Sequence, residues 1–247
     1  MIPEITEQRF LLAAAAAVLA GLVRGFSGFG PAMVFTPVAS ALYGPAVAVP
    51  VLFLVDVVMT VPMVTRAVRQ CHWREVLPIS AGAAATIPLG VWMLVRTEPT
   101  LLRWLLCTAI LVAVAALASG WRYRDKPSLA VTLGTGGLSG FGGGFAGLYG
   151  PPIILFWLGG SSQAATVRAN IFAYFALITV VAGASLSYAG LFTRDVLWLA
   201  LLLMPVYAVA LWLGAQLFRR SSRETVYRWL ALTLCTLAAL AGMPLWG

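Results

Sequence analysis

The chain is 247 residues long, 61% hydrophobic and only 10% charged, with a formal charge of +8 at neutral pH. A water-soluble fold of this size cannot hide so much apolar surface under so few charges, so the composition excludes a soluble enzyme or a nucleic-acid-binding domain and points to an integral membrane protein. The positive charge then serves orientation and contact with anionic lipid head groups, with no nucleic-acid partner implied.

Apolar runs separated by short charged loops fill the sequence, at residues 8–24, 27–44, 46–69, 75–95, 100–120, 127–139, 143–158, 163–190, 195–218 and 224–246. The first resembles a signal peptide only in length. Glu4 and Glu7 oppose Arg9 where such a leader carries net positive charge, so the run reads as a retained membrane segment. It ends in a glycine-rich break, Gly25-Phe26-Ser27-Gly28-Phe29-Gly30, and a near copy, Leu138-Ser139-Gly140-Phe141-Gly142-Gly143-Gly144, separates the sixth run from the seventh.

The shared Ser-Gly-Phe-Gly core (Ser27 to Gly30, Ser139 to Gly142) suggests an internal duplication, with membrane repeats at 1–121 and 122–247. Two further matches support it. Trp73-Arg74-Glu75-Val76-Leu77 pairs with Thr193-Arg194-Asp195-Val196-Leu197, and Arg103-Trp104-Leu105 with Arg228-Trp229-Leu230. In each set of five runs the first two are short, the third is long and the last two are of ordinary spanning length. A span needs about 20 residues, so the short runs read as paired or broken helices.

If the chain passes straight through each break, loop charges divide almost evenly between the two sides. If it reverses there, Arg24, Arg66, Arg69, Arg74, Arg122, Arg124, Lys126, Arg219, Arg220, Arg223 and Arg228 fall on one side, against Arg9, Arg96, Arg103 and Arg194 on the other. Only reversal gives a positive-inside bias, which places both termini outside the cytoplasm and makes the second repeat inverted relative to the first. Short crossings and re-entrant hairpins satisfy this count equally. Inverted repeats with broken helices are the build of secondary transporters, whose substrate site lies near the midplane.

At each break a serine and a glycine precede a helix-like run. Serine is a favoured N-cap, glycine admits close approach to the backbone, and free N–H groups at a helix start attract anions. The backbone and side chains of Ser27, Gly28, Phe29 and Gly30, with Ser139, Gly140, Phe141, Gly142, Gly143 and Gly144, therefore form a candidate anion cradle; the competing reading is that these glycines only let helices pack closely. Asp56 is the one acid deep within an apolar run, either a proton-coupling group or a structural partner of Thr60 one turn away. Arg24 and Arg168 lie near the short runs and either counter an anion or extend to the head groups. Thr166, Asn170 and Tyr174 form a polar stripe at helical spacing that must face protein or a cavity, and Thr166 and Asn170 are candidate lining.

Three scattered cysteines (Cys71, Cys107, Cys235) and the single His72 make no metal-binding pattern. Gly142, Gly144 and Gly147 match Gly-x-Gly-x-x-Gly, but without the preceding strand and following acid of a dinucleotide site. No cofactor is implied. A membrane enzyme would need clustered acids, histidines or an activated nucleophile at depth, and these are lacking.

The two glycine motifs, GFSGFGPAMVFTP and GLSGFGGGFAGLYGPP, each followed by a long helix, resemble those of the TauE/SafE family of sulfite and organosulfur-anion exporters over nearly the whole chain. The resemblance implies an all-α polytopic transporter in the bacterial inner membrane that moves a small sulfur-containing anion such as sulfite or sulfoacetate. A passive anion channel, or a carrier of another small organic anion, are the alternatives. Pro31 and Ala32 stand where the second motif has Gly143 and Gly144, so the two breaks are not equivalent.

Overall fold

The computed structural model describes residues 7–27, 30–120, 127–160, 164–220 and 224–245, and among them all regular structure is helical. The helices are α1 (Glu7–Ser27), α2 (Pro31–Tyr43), α3 (Pro45–Gln70), α4 (Trp73–Arg96), α5 (Pro99–Ala118), α6 (Leu129–Ala146), α7 (Gly150–Leu158), α8 (Ala164–Tyr188), α9 (Arg194–Arg220) and α10 (Glu224–Gly242). Within α1, α4, α5, α8 and α9 lie 5 windows long and apolar enough to cross a membrane. The chain is an all-α polytopic membrane protein.

The helix boundaries have local causes. Gly30 sits at φ 85°, a left-handed conformation that side chains disfavour, and Pro31 at the first helical position of α2 has its φ already set for a helix. Gly44, at φ 86°, separates α2 from α3 in the same way. Ser128 opens α6 by accepting a hydrogen bond from Val131 N–H at 3.3 Å, and Thr193 opens α9 by accepting from Val196 N–H at 3.4 Å. The matched stretches at Trp73 and Thr193 are thus two helix starts, each with an acid, Glu75 or Asp195, in the first turn where the helix dipole favours it.

The second break differs from the sequence expectation. A helix start was expected at Ser139-Gly140, with the sixth run ending at residue 139; instead α6 continues to Ala146 and the break falls at Gly147–Tyr149. Gly147 takes φ 75° and, with Leu148, donates back to the carbonyls of Gly143 and Gly142. Glycine-rich sequence is a poor helix former alone. Here tertiary packing outweighs propensity, because the glycines seat α6 against α4.

The chain forms two compact units, one comprising Met1–Val55, Thr97–Val114 and Leu191–Gly247, the other Asp56–Arg96 and Ala115–Gly190. Both sequence halves contribute to each. In the first unit α1 packs on α9, and α2 packs on α1 and α10. The α1 to α9 contact is backbone-close: a Cβ on Gly21 would meet the Tyr207 carbonyl at 2.8 Å, one on Gly25 the Leu211 carbonyl at 2.2 Å, and one on Gly214 the Leu22 carbonyl at 2.4 Å. In the second unit α6 packs on α4 by the same device, and α8 also packs on α4. Gly136, Gly140 and Gly144, spaced four apart on one face of α6, lie so close that a Cβ on each would meet the carbonyls of Ile79, Ala83 and Ile87 at 2.0, 2.2 and 2.5 Å. Without a solvent-driven hydrophobic effect inside a bilayer, this close approach of small residues supplies the attraction between helices. The Thr86 hydroxyl adds a bond to the Gly137 carbonyl at 2.7 Å.

Candidate functional site

Around the second break the structure assembles two polar clusters from α4, α6, α7 and α8, joined by an aromatic contact. The Ser139 hydroxyl, fully buried on α6, donates to the Tyr149 carbonyl exposed by the break. Having only one proton, it must accept from the Tyr174 hydroxyl of α8, which lies 2.7 Å away. The Tyr174 ring meets the Trp157 ring edge-on at 6.2 Å. Trp157 Nε1 then donates to Glu75 Oε2 at 3.1 Å, and Asn170 Nδ2 donates to the same oxygen at 2.9 Å. Asn170 Oδ1 accepts the His72 backbone N–H at 2.7 Å, holding the turn before α4. His72 Nδ1 stands 3.6 Å from Glu75 Oε1, beyond hydrogen-bond range but within reach of a protonated imidazole.

Asn170 and Tyr174 are completely buried, so the polar stripe of α8 faces protein as its spacing requires, while Thr166 at its start is half-buried. The amide of Asn170 is occupied on both sides, and the Ser139 hydroxyl is engaged at the break. Both therefore brace the framework in this state of the molecule. Gly143 makes room for the Tyr149 ring, which a Cβ would strike at 2.0 Å, and Phe141 meets Phe145 at 5.5 Å. Gly142 alone among Gly140, Gly142, Gly143 and Gly144 has ordinary space, its nearest neighbour being the Leu148 carbonyl at 3.5 Å from a built Cβ.

At the first break Ser27 is the last helical residue of α1, its side chain outside the described residues together with Gly28 and Phe29. The helices α1 and α2 pack on each other: a Cβ on Gly30 would meet Val23, near the end of α1, at 3.7 Å, and Arg9 near its start acts electrostatically on Tyr43 at the end of α2. The chain therefore turns back at this break, and α2 runs antiparallel to α1. Arg24, the neighbour of Val23, is buried at 7% exposure. Arg168 is exposed, with its guanidinium 5.7 Å from the centre of the Phe172 ring. Asp56 is half-buried on α3, and neither it nor Arg24 is free of interactions; the side chain of Thr60 lies outside the described residues.

The helix starts are leaner in donors than their sequence suggests. Pro31 removes one N–H from the first turn of α2, and Pro151 with Pro152 removes two from that of α7. The helix dipole remains, but fewer N–H groups point from it. A groove lined by Val18, Leu22, Pro205, Val206, Val209 and Leu213 is apolar throughout, suited to a lipid chain and unsuited to an anion. No group of three metal-binding side chains occurs among the described residues.

The sequence reading missed the part played by Glu75, Trp157 and Tyr149. The available signal was Glu75 itself, an acid kept in the first turn of an apolar helix and echoed by Asp195 in α9. Its partners lie far along the chain and carry no local mark. Residues 13–241, nearly the whole chain, match the family model described as Sulfite exporter TauE/SafE. No curated protein and no solved structure matches the chain.

Proposed function

The chain belongs to the sulfite exporter TauE/SafE family, and from that premise we propose that it exports a small sulfur-containing anion, sulfite, sulfoacetate or a close relative, across the bacterial inner membrane by alternating access. The family match carries the substrate class. The mechanism draws support from the packing of the two units: α1 of the first sequence half rests on α9 of the second, and α6 of the second rests on α4 of the first. Numbered within repeats 1–121 and 122–247, both are first-on-fourth pairings, the exchange expected of an inverted duplication.

In this reading each break is a candidate anion contact within its own unit, Ser27 to Gly30 in the first and Ser139 to Gly144 in the second. Arg24 or Arg168 supplies a counter-charge, Thr166 and Asn170 contribute polar lining, and Asp56 is the candidate coupling group. Both termini lie on the periplasmic side. Export of an anion from a cell negative inside is downhill by about 2.3 kcal/mol per charge per 100 mV, so proton coupling is an addition and not a necessity.

The test is flux of radiolabelled sulfite in proteoliposomes under an imposed voltage or pH gradient, for the wild type and Asp56→Asn. Flux that follows voltage and survives the substitution identifies an uncoupled exporter with a structural aspartate; flux that needs the pH gradient and dies with Asp56 identifies proton coupling. Wild-type vesicles that move neither sulfite nor sulfoacetate would overturn the substrate class. A cross-link between the repeats that left flux unchanged would replace the carrier with a channel.

A further inference from the structure

Three hydroxyls on one face of α2 have no hydrogen-bond partner. Thr36 is 0% exposed and Ser40 2%, and Thr36 Oγ1, Ser40 Oγ and the Tyr43 hydroxyl oxygen are all shielded and unpaired. At spacings of four and three they fall within one narrow stripe of the helix. Among the described residues only one other side-chain polar atom is buried without a partner, Ser80 Oγ on α4.

The rest of the protein shows that this is a departure from its own habit. Thr132, Thr135, Ser185 and Thr236 turn their hydroxyls back onto the carbonyl four residues earlier, at 3.0, 2.8, 2.8 and 2.9 Å. That bond is available to serine and threonine on a membrane helix and needs no other element. Thr36 and Ser40 do not make it. A buried hydroxyl without a partner costs on the order of 1–3 kcal/mol, and such groups are rare singly. Three in one stripe of a 13-residue helix leave their donors free to meet a partner from outside the chain.

The surroundings define the partner's chemistry. The groups presented are hydroxyls, each able to donate one hydrogen bond, with no carboxylate on α2. Two arginines belong to the neighbouring helix α1, buried Arg24 and Arg9, and the latter acts electrostatically on Tyr43. A small oxyanion stripped of water needs several donors at once, and aligned hydroxyls replace its hydration without a fixed ion pair that would trap it.

We propose that the Thr36, Ser40 and Tyr43 hydroxyls form a binding row for the transported oxyanion, whose oxygens are the partners these groups lack. The inference rests on the transport reading above and adds a location within the first unit that the glycine motifs do not indicate.

The experiment uses the full chain reconstituted in proteoliposomes, with Thr36→Val, Ser40→Ala and Tyr43→Phe measured singly for radiolabelled sulfite flux and, in detergent, for thermal unfolding with and without sulfite. Each variant is expected to raise the KM for sulfite by about tenfold, as loss of one hydrogen bond to a charged group does, and to show a smaller sulfite-dependent rise in Tm than the wild type. Without sulfite each should unfold at or above the wild-type temperature, since an unpaired polar group has been removed. That pairing of weaker transport with undiminished stability is one that a structural role cannot produce. Wild-type KM in all three variants, or a lowered ligand-free Tm with KM unchanged, would overturn the binding row and leave the transport reading standing. Wild-type protein that neither moves sulfite or sulfoacetate nor is stabilised by them would remove both.

Discussion

The two short helices that follow the glycine breaks, α2 and α7, are treated in opposite ways by their surroundings. Beside α7 the polar groups find partners within the chain: Ser139 with Tyr149 and Tyr174, Trp157 and Asn170 with Glu75. Along α2 the hydroxyls of Thr36, Ser40 and Tyr43 find none. A hydrogen-bonded network rigidifies, whereas a buried hydroxyl left unpaired is costly. The difference lies in which buried polar groups are partnered within the chain, and the binding row proposed along α2 rests on it.

The comparison is broken most severely at the helix contact beneath α7. Gly140→Ala places a Cβ 2.2 Å from the Ala83 carbonyl, which belongs to rigid backbone, so α4 and α6 must separate. Folded protein recovered in detergent is expected to fall sharply, consistent with overpacking of about 3 kcal/mol or more, while Gly142→Ala, with 3.5 Å of clearance, should remain folded. Because Gly142 belongs to the proposed cradle without being needed for packing, reduced sulfite flux in that variant would be a clean sign of substrate contact.

Next in size is the clamp at Glu75. Glu75→Ala leaves the Trp157 and Asn170 N–H donors without their acceptor and should cost about 2 kcal/mol, read as a lower Tm. Glu75→Gln retains an acceptor oxygen and should recover much of that loss. Equal behaviour of the two variants would mean that the carboxylate charge, and not its hydrogen bonding, holds the turn.

A smaller contrast uses one atom in each region. Tyr174→Phe deletes the donor to Ser139 and should destabilise by about 1 kcal/mol; Tyr43→Phe deletes an unpaired hydroxyl and should not destabilise at all. Thermal unfolding of both proteins side by side measures the difference between the regions, and the same sign for both would dissolve it.

The smallest effect concerns Cys71, in the turn that Asn170 secures through His72. Burial pushes its thiol above the ordinary range, so at neutral pH less thiolate is present and maleimide labelling should lag behind a free thiol. The rate should keep climbing with pH beyond the point, about 8.5, where an ordinary cysteine is half ionised. Asn170→Ala, by loosening the turn, should speed labelling at neutral pH.

Much of the architecture was legible in order. The ten apolar runs correspond to the ten helices, mostly within a few residues at each end, because the length of an apolar run and the punctuation at Gly30-Pro31, Gly44 and Ser128 act locally. The family resemblance was legible too, carried by glycine and proline patterns that survive without side-chain chemistry. The second break was misplaced because the signal at Ser139 to Gly144 is ambiguous: the same glycines that break an isolated helix are those that let a membrane helix continue against a close neighbour.

By itself, then, the sequence determined the membrane class, the succession of helices and the family, all of which depend on composition and on residues near one another in the chain. Only the tertiary structure decided which polar groups are satisfied. Glu75 and Asn170 are 95 residues apart, and the bond between them exists because α4 and α8 pack together. Thr36 and Ser40 look the same in sequence as Thr132 and Ser185; what separates them is that the latter pair turn their hydroxyls onto the carbonyl four residues earlier and the former do not. Hydrogen bonding depends on distance and direction in space, and neither is written in the order of the residues.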